Sequence, residues 1–346
     1  MTAASASLEG RPARWWMPRA DGRLECTLCP RRCKLSDGQR GFCVVRRRRG
    51  AELVSDSYGR ASGFCADPIE KKPLYHFYPG CRALSFGAVG CNLGCRYCQN
   101  WGISKAESLA ALLPAISPGA VADLARRHGC RAVAFTYNDP VISAEFVIDV
   151  AHACRERGIA PVAVTAGYIE PGAREEFFDA MDAANVDLKA FSDAFYRRKC
   201  LGRLQPVLET LEAVAARGRP WLEVTTLLIP GLNDGADEVA RAAEWFVAHL
   251  GAEVPWHFTA FHPDFRMLDV PRTPPATLAA ARSIALSAGV RHVYTGNVRD
   301  PGGSATHCAG CGAVLVERNG FEVTRSRLED GRCPRCGRRL AGVFSS

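Results

Sequence analysis

The chain has 346 residues, 47% of them apolar, which is enough to bury a large core and suits one α/β barrel with attachments. No run of about 18 uncharged apolar residues occurs, so no membrane-spanning helix is expected, and the N-terminal stretch lacks the apolar core of a secretory signal. The net charge of +8 owes more to arginine than to lysine; runs such as Arg46 to Arg49 suit phosphate binding but are expected as solvated surface.

In chain order, residues 1–20 are expected as a mobile leader and residues 21–80 as a cysteine-rich segment with little periodicity. From 81 to 300 apolar strands alternate with amphipathic helices. Strands are expected at Ala83–Val89, Ala132–Tyr137, Ala160–Ala166, Val186–Ala190, Trp221–Ile229, Trp256–Phe261 and His292–Gly296. One helix opens at Ser117-Pro118, a cap followed by proline at the first helical position, and stops at Gly129. A second runs from Ser143 to Gly158, and others cover 171–184, 205–218, 236–251 and 275–289. Strands alternating with helices imply a parallel sheet, and this many units predict a full or partial (β/α) barrel, with a doubly wound open sheet as the alternative. In a barrel the chemistry sits at the C-terminal ends of the strands.

Sixteen cysteines, most in short CxxC-like groups, point to metal rather than disulfides, and so to a reducing, cytoplasmic setting. Just after the first strand, Cys91, Cys95 and Cys98 form CxxxCxxC, with Gly90 and Gly94 letting the loop wrap closely and Tyr97 placed to stack on a flat ring. Three thiolates on one loop can each take one iron of a [4Fe-4S] cube and leave the fourth iron open. The spacing alone also admits a zinc site with a distant fourth ligand, or unrelated buried thiols. Cys308, Cys311, Cys333 and Cys336 form two knuckles over 305–346, the donor set of a zinc ribbon that needs its Zn²⁺ to fold. Iron or disulfides are the alternatives there. Cys26, Cys29, Cys33 and Cys43 could close a zinc site or an auxiliary Fe–S cluster, with little to separate the two. Cys65, Cys81, Cys130, Cys154 and Cys200 stand alone and are expected as buried, inert thiols.

The cluster loop resembles that of the radical SAM superfamily, whose pattern is CxxxCxΦC with an aromatic at Φ. Within it the chain is most similar to the pyruvate formate-lyase activase-related branch, and closer still to the radical SAM enzymes of the AmmeMemoRadiSam system. That likeness rests on Ala66 to Phe77, Thr136 to Pro140, Asp187-Leu188-Lys189, Ile229 to Asp234 and Tyr294 to Asn297, all in the expected order. The resemblance implies a [4Fe-4S] cluster that reductively cleaves S-adenosylmethionine (SAM) to a 5′-deoxyadenosyl radical, which takes hydrogen from a small-molecule or protein substrate. It also implies a reductant such as a flavodoxin or ferredoxin, and Memo-like and Amme-like partner proteins.

For the SAM pocket the resemblance implies Asn138 and Asp139 at the end of the second strand. The superfamily usually has glutamate where Asp139 stands. Asp187 and Lys189 would face the methionine end of SAM from the fourth strand. Glu223 and Thr225 share a face of the fifth strand and would contact ribose or methionine; Ile229-Pro230-Gly231 would present backbone to the adenine. His257 and Asn297 on late strands would face SAM or substrate. His76, Glu70, Lys71, Lys72 and Tyr75 would form a lid over the barrel. A glycyl-radical activase is a variant of this reading. The basic balance and the ribbon also allow modification of RNA, as a second choice, and the cysteines alone allow a non-catalytic zinc-binding interaction module.

Overall fold

The computed structural model describes residues 10–106 and 108–344. Its centre is an eight-stranded sheet whose strands follow one another in sequence order. Seven are parallel: Arg82–Phe86, Ala132–Phe135, Ala160–Thr165, Ala183–Asp187, Trp221–Leu228, Trp256–Ala260 and Val293–Gly296. The eighth, Phe64–Pro68, pairs antiparallel with the first of these and forms the edge. The two end strands of the row do not pair with each other, so the barrel is partial. Helices Pro118–Arg127, Ala144–Arg155, Pro171–Asp179, Gln205–Arg217, Ala236–His249 and Pro275–Ser287 return the chain between strands, as the helical periodicity predicts. The first of them is capped by Ser117, whose side chain accepts from Ala120 N, with Pro118 at its first position. No helix among the described residues is long and apolar enough to cross a membrane.

The largest departure from the predicted elements lies between the third and fifth strands. The helix expected over 171–184 ends at Asp179, and the strand expected from Val186 starts at Ala183. Ala183 and Ala184 read as helix formers, but they pair with Val162 and Ala163, and sheet pairing overrides their propensity. The expected leader also differs. Residues 1–9 lie outside the described residues, while Arg11–Pro12 and Trp16–Pro18 are strands. Arg11–Pro12 joins Glu52–Ser55 and Arg46–Arg49 in one small sheet; Trp16–Pro18 joins Leu24–Cys26 and Lys34–Leu35 in another. The arginine run is not all solvated surface either: Arg46 is 1% exposed and pairs with buried Glu145 at 2.9 Å.

The segment expected as a lid is a floor. Leu74, His76 and Phe77 are buried, at the N-terminal ends of the parallel strands. His76 stacks against Trp221, where the fifth strand begins, and packs on His292, just before the seventh. Glu223 accepts from Tyr75 N at 2.9 Å and His76 N at 2.7 Å, and Asn185 donates to Pro73 O. Beneath this floor lies the C-terminal sheet of Thr306–His307, Val314–Asn319 and Glu322–Ser326. Its Arg318 is buried, donates to Tyr75 O, Ser304 O and Thr306 Oγ1, lies over the Tyr75 ring and faces Glu70 at 3.5 Å. His76 Nδ1 and O meet Ala341 O and Val343 N, so the last residues staple to the same segment.

Two outcomes follow from these buried groups. Arg318→Ala leaves Glu70 buried opposite no cation, which should cost roughly 3–5 kcal/mol and expose the C-terminal sheet to limited proteolysis. Burial, then the neighbouring His292, holds the His76 imidazole well below the usual histidine pKa. The unfolded chain gains a proton on His76 below about pH 6.5 that the native chain refuses, so this contribution is present above that pH and lost as pH falls. The urea midpoint should therefore drop between about pH 7 and pH 5, and drop less in His76→Gln.

Candidate functional site

The C-terminal strand ends enclose a cavity of about 530 Å³, within the range of small-molecule sites. One wall is the Cys91–Cys98 loop, whose three cysteines all line it. The loop is held from three sides. Asn138 is buried, accepts from Ala88 N and donates to Gly90 O at 2.7 Å. Residues 199–200 accept from Arg96 N and Gly94 N. Lys105 Nζ donates to Leu93 O at 2.6 Å. Gly90 has φ +79°, and a Cβ there would meet Cys43 O at 2.0 Å, so glycine is required both by conformation and by close approach of the N-terminal segment. Burial, then nearby Asp139, pushes the Cys91 thiol up to about 11. The Cys91 thiolate needs a cation bound to it to persist at neutral pH.

In the same cavity, Asp187 closes the fourth strand and Lys189 lies two residues beyond it, not inside it. The two still meet, with Lys189 Nζ 3.0 Å from Asp187 Oδ2. Burial opposes the Lys189 ammonium, but Asp187 and the surrounding thiols hold its pKa well above the lysine range. The Lys189 backbone is pinned by Tyr196 Oη and Asn233 Nδ2. Asp139 caps the turn after the second strand and accepts from Val141 N, Thr165 Oγ1 and Ala166 N. Thr225, His257 and Asn297 also line the cavity. Thr225 Oγ1 is buried there without a hydrogen-bond partner.

Two expected contacts are placed differently. Glu223 does not line the cavity: it is fully buried, and besides the floor amides it accepts from Trp221 Nε1 and His257 Nε2 at 2.7 Å. Its carboxylate is consumed by the chain, so it positions the floor and His257. The Ile229–Gly231 turn does not line the cavity; Asn233 and Asp234 side chains cap it. Tyr97 lines the cavity; its ring packs on Phe195 and its hydroxyl lies 3.2 Å from Cys200 Sγ. Cys65, expected as buried, is exposed.

Tyr137, Lys72 and Phe321 line the cavity as well. Tyr137 has φ +72° and donates to Asp67, which also takes Lys72 Nζ at 2.7 Å. Both Asp67 and Lys72 fall within the Ala66–Phe77 stretch, whose charge density was the available signal. Phe321 reaches the cavity from the tip of the C-terminal hairpin. Nothing in its local sequence foretells that, because the contact depends on how the ribbon docks. In the ribbon itself, Cys308, Cys311, Cys333 and Cys336 place their sulfurs within 4.8 Å of one another.

Residues 87–245 match the Radical SAM superfamily. An uncharacterized protein of Methanocaldococcus jannaschii is 38% identical over 332 residues, which is 95% of this chain and 98% of that protein. The chain belongs to the radical SAM superfamily. It is thus an iron–sulfur-dependent enzyme that cleaves SAM, not the non-catalytic module that its cysteines alone allow. Radical SAM enzymes generally draw electrons from a reductant such as flavodoxin or ferredoxin. The pyruvate formate-lyase-activating enzyme of Clostridium pasteurianum is 29% identical over 178 residues, 48% of this chain and 69% of that enzyme. The crystal structure of a radical SAM methyltransferase from Sphaerobacter thermophilus shares the fold, with a TM-score of 0.51 at 15% identity over 88% of this chain and 81% of that one.

Asn138 offers the sharpest test of how this radical SAM loop is held. Asn138→Ala leaves a buried amide and a buried carbonyl without partners and should cost roughly 2–4 kcal/mol by chemical denaturation. Asn138→Asp keeps the acceptor for Ala88 but buries a carboxylate oxygen against Gly90 O, so it should lose at least as much.

Proposed function

We propose that Cys91, Cys95 and Cys98 hold the [4Fe-4S] cluster and that the cavity beside them binds SAM. One observation carries this reading: Cys91, Cys95 and Cys98 line the same cavity as the Asp187–Lys189 ion pair. A three-thiol wall suits a cluster that keeps one iron for its substrate. When bound, the cluster supplies the electron that splits SAM and frees the 5′-deoxyadenosyl radical, which takes a hydrogen atom from the substrate.

The chain's own residues do the rest. Lys189 offers an ammonium to the carboxylate of SAM's methionine. Asp187 and Asp139 offer carboxylates to its amino group; the shorter Asp139 already spends three acceptor positions on the chain, so Asp187 is the freer partner. Thr225 Oγ1 awaits a polar ligand atom, since a buried hydroxyl without a partner is costly. His257, oriented by Glu223, and Asn297 line the same cavity and meet SAM or the second substrate. The floor from Tyr75 to Phe77 and the docked hairpin exclude water from below.

The finer assignment follows the order of the motifs from Ala66 to Asn297, which supports the AmmeMemoRadiSam branch, with its Memo-like and Amme-like proteins as partners and a cytoplasmic setting. We assign 21–80 to an N-terminal cysteine-rich segment, 81–300 to the barrel and 305–346 to a ribbon that binds Zn²⁺. The ribbon's Cys308–Cys336 and Cys311–Cys333 sulfur separations of 3.5 and 3.6 Å suit four thiolates around one ion.

Anaerobically reconstituted protein with dithionite should convert SAM to 5′-deoxyadenosine and methionine. Replacing any of Cys91, Cys95 or Cys98 by alanine should bring that to the no-enzyme background. Lys189→Met should weaken SAM binding about tenfold, roughly 1.4 kcal/mol. An intact cluster with no 5′-deoxyadenosine would contradict the assignment.

A further inference from the structure

The N-terminal cysteines carry an inference of their own. Cys26 ends the strand Leu24–Cys26 and Cys29, Cys33 and Cys43 lie in the loops that follow, yet all four line one small, largely enclosed pocket. Cys26 and Cys43 are buried, and none of the four is in a disulfide. Four thiols gathered in a pocket without another function imply a metal centre.

Sulfur spacing decides which kind. A tetrahedron of thiolates about 2.3 Å from one ion puts its sulfurs about 3.8 Å apart. The C-terminal ribbon has that arrangement. Among the described residues, its four cysteines form the one group of three or more histidine, cysteine or acidic side chains whose ligand atoms lie within 4.8 Å of one another. No three of the N-terminal sulfurs all lie within 4.8 Å of one another. Wide corners suit a multi-iron cube, whose thiolates bind different irons, and do not suit zinc or a single iron.

A second observation points to an anion in the pocket. Arg46 lines it, is 1% exposed, and spends its terminal nitrogens on Glu145 and Arg14 O. Its Nε–H has no partner. A buried donor beside four cysteines is satisfied by the sulfur of an anionic cluster. Phe42 N already points at Cys33 Sγ, at 3.5 Å.

We propose that Cys26, Cys29, Cys33 and Cys43 bind a second iron–sulfur cluster. It abuts the loop of the first. Asn92, next to Cys91, also lines this pocket, Arg31 donates to Asn92 O, and Gly90 packs on Cys43 O. The reading stands whether or not Cys91, Cys95 and Cys98 carry the SAM-cleaving cluster.

The test counts iron, sulfide and zinc in anaerobically purified full-length protein. The Cys91→Ala/Cys95→Ala/Cys98→Ala triple variant cannot cleave SAM, yet should keep about four irons per chain and a paramagnetic signal after reduction by dithionite. Adding Cys29→Ser and Cys33→Ser should remove that iron. A triple variant without iron, or with a second zinc in its place, would overturn the proposal, as would iron that survives all five substitutions. Loss of 5′-deoxyadenosine from the wild-type protein would speak only against the first site, so the two readings fail separately.

Discussion

The whole site rests on one buried carboxylate. Glu223 sits on the fifth strand with no exposure to water and takes four donors: Tyr75 N, His76 N, Trp221 Nε1 and His257 Nε2. A buried charge without such partners would cost several kcal/mol, so the geometry around it is over-determined. Its bonds pull the Leu74–Phe77 segment into the base of the barrel and turn one imidazole toward the cavity. The C-terminal sheet then docks on that segment through Arg318, and residues beyond the sheet add Ala341 and Val343. A partial barrel that would otherwise be open beneath acquires a floor, and the floor fixes the depth of the cavity.

Above that floor the cavity joins two chemical demands. Lys189 holds an ammonium between Asp187 and nearby thiols, Cys95 of the loop among them. Thr225 holds a buried hydroxyl without a partner. A ligand that is zwitterionic at one end and neutral at the other meets both needs. Phe321, 41% exposed at the tip of the docked hairpin, brings an apolar face to the same cavity, so the ribbon is more than an appendage.

Periodicity and punctuation made most of the barrel legible. Ser117-Pro118 marked a helix start that the structure places at Pro118, and the strand cores from Ala132, Ala160, Trp221 and Trp256 begin where apolar runs begin. The alanine pair at 183–184 misled because local propensity and sheet pairing disagreed there. The cavity was legible in part. Cys91, Cys95, Cys98, Asp187 and Lys189 could be grouped because strand ends of a barrel share a face. Glu223 could not be separated from Thr225 in sequence. Alternation puts both on one face, but only depth along the strand decides that one meets the floor and the other the cavity. Arg46 shows the same limit, since a run of four arginines gives no sign that its first member is buried beside cysteines.

The central claim is that the Cys91–Cys98 cluster opens onto the cavity where SAM binds. Electron paramagnetic resonance of the reduced protein, with and without SAM, tests it most directly. The account predicts that SAM shifts the g-values of the cluster signal that Cys91, Cys95 and Cys98 support. A signal unchanged by SAM at concentrations that saturate binding would contradict it.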